Sequence, residues 1–347
     1  MSGSLRVVSA GLPTTIQDRG RNGYQHLGVP VSGALDCIAL AAANALAGNA
    51  PDEAALEILY RGPMLVAETE SVRVAVACGD AQIEIFSDDT GRPGRRIEPM
   101  TSVMLERGEA IRIGAVKGSA CAYLAVEGGF AIEPALGSRA TDIRSRIGGM
   151  QARALQDGDM LPLRRESASE REELSLGGYR LDAPTRVRIV PGPQRDFFSD
   201  DEFAALAQTT YLVGADSGRM GLRLSGRPIA HGRGANIVSD AVAPGSIQIP
   251  GDGQPIVLLA DRQTTGGYPK IANVISADIP ALGRLRSGST LGFMVVTLDE
   301  AVEARRRMIE VLDGLAARAV PLRAAQPDLN PRLMETNLIS GVVDAAA

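Results

Sequence analysis

Two short segments hold most of the chemistry this chain could perform. Residues 14–36, TTIQDRGRNGYQHLGVPVSGALD, set Gln17, Asp18, Arg21, His26, Ser32 and Asp36 among four glycines, and His26 is one of only two histidines. Residues 261–270, DRQTTGGYPK, set Arg262, Gln263, Thr264, Thr265, Tyr268 and Lys270 around a Gly-Gly pair. Only two of the 36 basic residues are lysines, Lys117 and Lys270. The general preference for arginine reads as genome base composition. A compact cation of adjustable pKa in a glycine-rich loop stands out against it. Glycine admits backbone conformations closed to other residues, so the polar groups between glycines point where the loop aims them. Hydroxyls, amides and cations collected in this way suit an oxyanion or carboxylate, whose charge fixed donors stabilise. Gln248, in SIQIP, is expected to project from a neighbouring strand.

Each of these residues also has a structural reading. Asp18 and Arg21 can be a turn-stabilising pair, and His26 a hydrogen-bonded structural histidine. Asp36, with Ser32 nearby, can cap a helix that starts near Leu35, although a helix N-terminus is itself an anion seat. Taken together, so many polar groups among glycines read as the lining of a cleft, since loops commonly carry function. Two arginine-bearing sets, at 138–144 and 216–221, read as turns and interdomain contacts.

The elements that must position these loops are mostly strands. Val72-Val74-Val76, Ile83-Ile85, Val103-Leu105, Ile111-Ile113 and Val187-Ile189 alternate at period two, and residues 120–126 and 255–259 read as buried strands. Helices are expected over 35–47, 196–208 and 299–317. A length of 347 residues exceeds the usual single core. The expectation is a mainly β chain with two barrel-like domains: residues 1–165, a polar linker at 166–180, a second domain at 181–298, and a C-terminal helix and tail at 299–347.

Composition and missing motifs exclude several functions. A net charge of −5 gives no reason to expect nucleic acid or an anionic membrane as partner. No apolar run approaches the ~18 residues of a membrane span. The N-terminus lacks a signal-peptide layout, and the three scattered cysteines read as free thiols. A cytoplasmic protein is the resulting expectation. There is no P-loop, dinucleotide fingerprint, nucleophile elbow, H-E-x-x-H or C-x-x-C, so no metal is expected.

The stretch TIQDRGRNGYQHLGVPVSGALD, with LEILYRGP (56–63), YLAVEGGF (123–130), LGSRATD (136–142), DSGRMGLRLSG (216–226) and GSIQIPGDGQPIVLLADRQTTGGYPKIA (245–272), resembles the biotin-dependent carboxyltransferase subunit family. Its members are variously labelled allophanate hydrolase subunit 2, KipA-like protein and the C-type subunit of 5-oxoprolinase, and include the carboxyltransferase part of urea carboxylase. The resemblance runs to about residue 296. It implies two tandem cyclophilin-like β domains and a smaller KipI-like partner, the B-type subunit of 5-oxoprolinase. It also implies transfer of a carboxylate from carboxybiotin to the nitrogen of a small amide such as urea or 5-oxoproline. Biotin would arrive on a separate carrier, and ATP would be used by a separate biotin carboxylase. Under this reading Lys270 and Arg262 seat a carboxylate, and His26 or Asp18 manages protons. Gln17, Arg21, Ser32, Gln248, Gln263, Thr264, Thr265 and Tyr268 complete the substrate site. The resemblance also carries an alternative, a regulatory protein that antagonises a KipI-like kinase inhibitor without turnover. One departure is Gly283-Arg284, where many relatives carry Ala-Gln, which exchanges a neutral amide for a cation.

Overall fold

A computed structural model gives the structure of the chain and describes residues 3–87 and 94–322. The first half builds two sheets around one core. One sheet runs in the order Met160–Pro162, Ser4–Ser9, Met64–Ala67, Ala110–Lys117, Asp80–Phe86, Arg95–Ile97. The other runs Thr14–Gln17, Ala55–Leu59, Cys121–Val126, Ser71–Ala77, Thr101–Glu106, Leu174–Ser175, Val320–Pro321. The period-two alternation decides which face goes inside. Val72, Val74 and Val76 join Leu5, Val7, Ile83 and Ile85 in the shared core, while Ala75 and Ala77 point the other way, onto helix α1 (Cys37–Ala47). The alanines of α1 let it lie close against the sheet. Asp36 accepts from the amides of Ile38 and Ala39 to start the helix, and Gly48, at φ 78°, closes it.

The second half is a closed seven-stranded barrel: Arg186–Pro191, Lys270–Val274, Ser246–Gln248, Ile256–Leu258, Gly221–Ser225, Tyr211–Val213, Thr290–Val295. Its first and last strands pair in parallel, Arg186 opposite Gly292 through Ile189 opposite Val295, and the other pairs are antiparallel. Val187, Ile189, Leu222, Leu224, Ile247, Val257, Ile271, Leu291 and Phe293 fill it. The mainly β architecture expected from the sequence is present, with the second half closed as a barrel.

Three local features differ from expectation. The stretch at 166–180 is fastened down rather than free. Arg73, buried mid-strand, donates to Glu127 (2.6 Å), Glu173 (3.0 Å) and the carbonyls of Ser169 (3.1 Å) and Arg171 (2.9 Å). A buried guanidinium needs partners, and this segment supplies them. The helix expected over 196–208 is divided. Arg195–Phe197 is a 3-10 turn, and helix α2 (Asp200–Gln208) begins after Ser199, whose hydroxyl accepts from Glu202 N. The long helix Leu298–Arg318, started by a Thr297/Glu300 capping box, turns back to the first half. There Leu315 and Leu312 pack in the α1 cluster, and Val320–Pro321 pairs with Leu174–Ser175. The rest of the expected tail lies outside the described residues. Among the described residues no helix is long and apolar enough to cross a membrane, and Cys37, Cys78 and Cys121 are free.

Candidate functional site

The seam between the halves joins the two polar segments. Ser32, at φ 56°, donates to Asp261 (2.7 Å), some 229 residues along the chain. Arg219 donates to both oxygens of Asp261 (2.7 and 2.8 Å), to the carbonyl of Gly33 (2.7 Å) and to Glu57. Glu57 also accepts from Leu35 N (2.8 Å) and Tyr123 Oη (2.5 Å). Burial opposes the Arg219 charge, but Glu57 and Asp261 outweigh it and raise its pKa. Burial, followed by the charge of Glu57, pushes the Tyr123 phenol well up, which keeps it a donor. A second buried pair crosses the same seam: Arg284 donates to Asp36 (2.6 Å). The cation at 284 is thus committed to the helix-capping carboxylate.

Within the first segment, several predicted residues hold the loops. Asp18 accepts from Gly20 N (2.7 Å), Ser138 Oγ (2.6 Å) and Arg139 N (2.6 Å), anchoring the 138–139 turn. Gly20 and Gly33, both at positive φ, meet backbone to backbone, since a Cβ on Gly33 would lie 2.7 Å from Gly20 N. Gln17 is buried and donates to Thr15 (2.9 Å) and the Thr141 carbonyl (3.0 Å). Arg21, also buried, donates to the Ala140 carbonyl, and burial lowers its pKa against the pull of Asp142. His26 sits exposed in the 3-10 turn Gln25–Leu27, away from this network.

Arg262, like Arg21, is a buried guanidinium whose hydrogen bonds go to main-chain carbonyls. Only 3% of it is exposed, and it donates to two main-chain carbonyls, of Val242 (3.1 Å) and Leu259 (3.2 Å). Among the described residues no carboxylate pairs with it. Burial pushes its pKa down to about 10, which leaves the group charged at neutral pH. It lines a cavity of about 230 Å³ whose other walls include Asn22, Gln25 and Ser32 from the first half and Pro244 and Ile279 from the second. A buried, unpaired guanidinium among amides and a hydroxyl is a seat for an anion.

The remaining predicted residues fall elsewhere. Gln248, Gln263 and Tyr268 line a separate cavity of about 410 Å³ with Asp216, Arg219, Met220, Ile256 and Leu258. Lys270 is 1% exposed and its ammonium reaches Asp240 at 3.1 Å; Asp240 is half exposed and also accepts from Gln194 (3.1 Å). The Lys270 and Gln194 hydrogen bonds hold the Asp240 carboxyl below its usual range. Thr265 is exposed in a two-residue ribbon paired with Ala241, and the Thr264 carbonyl accepts from Val242 N. Sequence reasoning missed Glu57 and Tyr123, whereas the interdomain contact expected of the 216–221 set is the one Arg219 makes to Glu57 and Gly33. The available signal was Glu57 itself, a carboxylate inside the apolar run ALEIL, directly opposite Tyr123 on the next strand.

A tandem mainly β fold with its polar loops gathered at the seam defines a class. The chain belongs to the carboxyltransferase-domain family, subdomains A and B, whose sequence model matches residues 27–295. It is 35% identical to the C-type subunit of 5-oxoprolinase from Escherichia coli K12, over 90% of this chain and 98% of that protein. Its structure is similar to the Kluyveromyces lactis urea carboxylase (TM-score 0.80, 25% identity, 96% of this chain) and to the K. lactis urea amidolyase (TM-score 0.80, 26% identity, 91% of this chain). The chain spans 30% and 20% of those two chains.

Proposed function

We propose that this chain is the carboxyltransferase-type subunit of a biotin-dependent, ATP-driven amide-processing complex, 5-oxoprolinase-like or urea carboxylase-like. It would act in the cytoplasm with a smaller KipI-like partner, a biotin carrier and a biotin carboxylase. One observation carries the reading: Arg262 is a buried guanidinium without a carboxylate partner, facing a cavity walled by both halves. Carboxybiotin, when its carrier delivers it, supplies an activated carboxylate for an amide-type nitrogen. The protein's part is to hold that negative charge. Arg262 offers a fixed cation in a desolvated setting, and Ser32, Asn22 and Gln25 offer hydrogen bonds from the opposite wall. In this assignment Asp18 and Arg219 position the loops, and Lys270, committed to Asp240, holds the 240–266 ribbon in place.

The test is reconstitution of the chain with its partner, carrier and carboxylase, followed by ATP-dependent turnover of 5-oxoproline and of urea. Loss of charge-assisted hydrogen bonds worth about 1.5–3 kcal/mol predicts a ten- to hundred-fold fall in kcat/KM for Arg262→Met. Wild-type kinetics in that variant would overturn the site. Tight partner binding with no turnover on either substrate would overturn the enzymatic reading.

A further inference from the structure

Residues 230–244 form a strap with almost no core of its own. Val242 is the only buried residue in that stretch, and Val238 is 91% exposed. A few main-chain hydrogen bonds fasten it. Ile237 N donates to the Gly267 carbonyl (2.8 Å), Val242 N donates to the Thr264 carbonyl (3.0 Å), and Asp240–Ala241 pairs with Thr265–Gly266 in a two-residue ribbon. Gly234 and Gly245, at φ 96° and 79°, bracket the fastened part. A segment with so little apolar burial and so many exposed hydrogen bonds belongs to the part of a fold that opens most readily.

Its charged fastening is buried on one side only. Lys270, on a barrel strand, is 1% exposed, and Asp240 on the strap, 3.1 Å from its ammonium, is the one carboxylate it meets among the described residues. Gln194 ties the same point: its Nε2 donates to Asp240 (3.1 Å), and its Oε1 accepts from Lys270 N (3.2 Å). A buried ammonium without a partner is costly, so the lysine holds the strap to itself. Two residues beyond Asp240, the Val242 carbonyl accepts from Arg262 Nε (3.1 Å). Two residues further, Pro244 lines the Arg262 cavity. One short extended segment thus carries the partner of Lys270, an acceptor for Arg262 and a piece of the cavity wall.

We propose that Lys270 is a positioning residue for Arg262: by holding Asp240 it latches the 237–244 strap, and the latched strap keeps the Val242 carbonyl on Arg262 Nε and Pro244 in the cavity wall. With the latch closed, the guanidinium is a fixed cation. With the latch released, Arg262 loses one of its two carbonyl partners and the cavity opens on the side of Pro244. The consequence for carboxylate binding rests on the Arg262 reading above, whereas the mechanical link from Asp240 to Arg262 does not.

The test uses the full chain. Lysine labelled with 13C at Cε gives two resonances, because Lys117 and Lys270 are the only lysines, and Lys117→Arg assigns them. Asp240→Ala moves the Lys270 resonance and leaves that of Lys117 in place. In 15N-arginine-labelled chain, the Nε–H signal of Arg262 is assigned by its loss in Arg262→Met. Removal of a charge-assisted hydrogen bond makes that Nε–H exchange with water about ten-fold faster or more in Asp240→Ala, and Asp240→Glu restores the slow rate. The amides of the barrel strand Gly221–Ser225 keep their exchange rates in both variants, which separates a released strap from a loosened barrel. Unchanged Arg262 Nε–H exchange in Asp240→Ala, or exchange that quickens together with that of the Gly221–Ser225 amides, would overturn the proposal. Sodium acetate titrated against the same Nε–H signal reports on the carboxylate reading: a wild-type signal unmoved by acetate overturns that reading, while the exchange rates still decide the latch.

Discussion

Arg219→Met removes the centre of the seam, and its effect can be worked from the contacts. Glu57 is fully buried and receives three donors, from Arg219, Leu35 N and Tyr123 Oη. The variant keeps two of them and loses the only cation. Asp261 keeps Ser32 and loses the bidentate guanidinium. A buried ion pair often contributes little over a well-packed apolar replacement, but removing one partner strands the other charge, at about 3–5 kcal/mol. At about 1.4 kcal/mol per tenfold, the folded-to-unfolded ratio falls roughly 150- to several-thousand-fold. The assay is urea unfolding at pH 7.5, followed by far-UV circular dichroism and, because the chain has no Trp, by Tyr emission. Arg219→Met/Glu57→Gln should recover more than half of the loss, since an amide can stay buried on Leu35 N and Tyr123 Oη. A single-variant loss under about 1 kcal/mol, or a double variant no more stable than the single one, would refute the claim that uncompensated charge dominates.

Three further outcomes follow from the same contacts. Asp36→Asn keeps an acceptor for the α1 amides but strands Arg284, whereas Asp36→Ala loses both, so the two should differ by about 1 kcal/mol in denaturant unfolding. Burial pushes the Glu127 carboxyl up, but hydrogen bonds from Ser169 and Arg73 outweigh it and hold its pKa low. A depressed folded value gives stability that is present above the unfolded carboxyl value, about 4.3, and lost as pH falls through the folded one. The deficit of Arg73→Met should therefore be largest above about pH 5 and shrink below about pH 4; a deficit that grows on acidification would contradict this. Gly283→Ala would place a Cβ 2.9–3.0 Å from Leu35, and should lower stability by about 1–3 kcal/mol in thermal unfolding, while Gly218→Ala, with nothing within 4 Å, should be nearly neutral.

The fold was legible where one face of an element meets the core. Val72-Val74-Val76 and Ile83-Ile85 alternate because a strand has two faces, and the alanines from 39 to 47 together with Asp36 and Gly48 write a helix with both ends marked. Residues 166–180 misled because their charge reads as solvent-facing. Arg73, the residue that holds them down, sits 100 positions before Glu173 within an apolar strand. The candidate site was legible as two segments and not as two chambers. Spacing brought Arg262, Gln263 and Tyr268 to attention together, but Leu259, Ala260 and Arg262 line one cavity while Leu258, Gln263 and Tyr268 line the other. Only the fold separates Arg262 from its neighbours. It is also burial, which sequence does not record, that turns Asp18 into a loop anchor and leaves Gln248 Nε2 without a partner.

The return of helix Leu298–Arg318 to α1 sets a timetable for the newborn chain. The alanine-rich helix at 37–47 leaves the ribosome long before Leu312 and Leu315, which complete its cover. At roughly 5–20 residues per second the wait is on the order of tens of seconds. During that time the first half has its sheets but an open apolar roof, and the barrel must form while that roof is exposed. A ribosome-bound chain truncated near residue 296 should therefore hold a first half that is folded yet adhesive, and emergence of helix Leu298–Arg318 is the step that makes it inert.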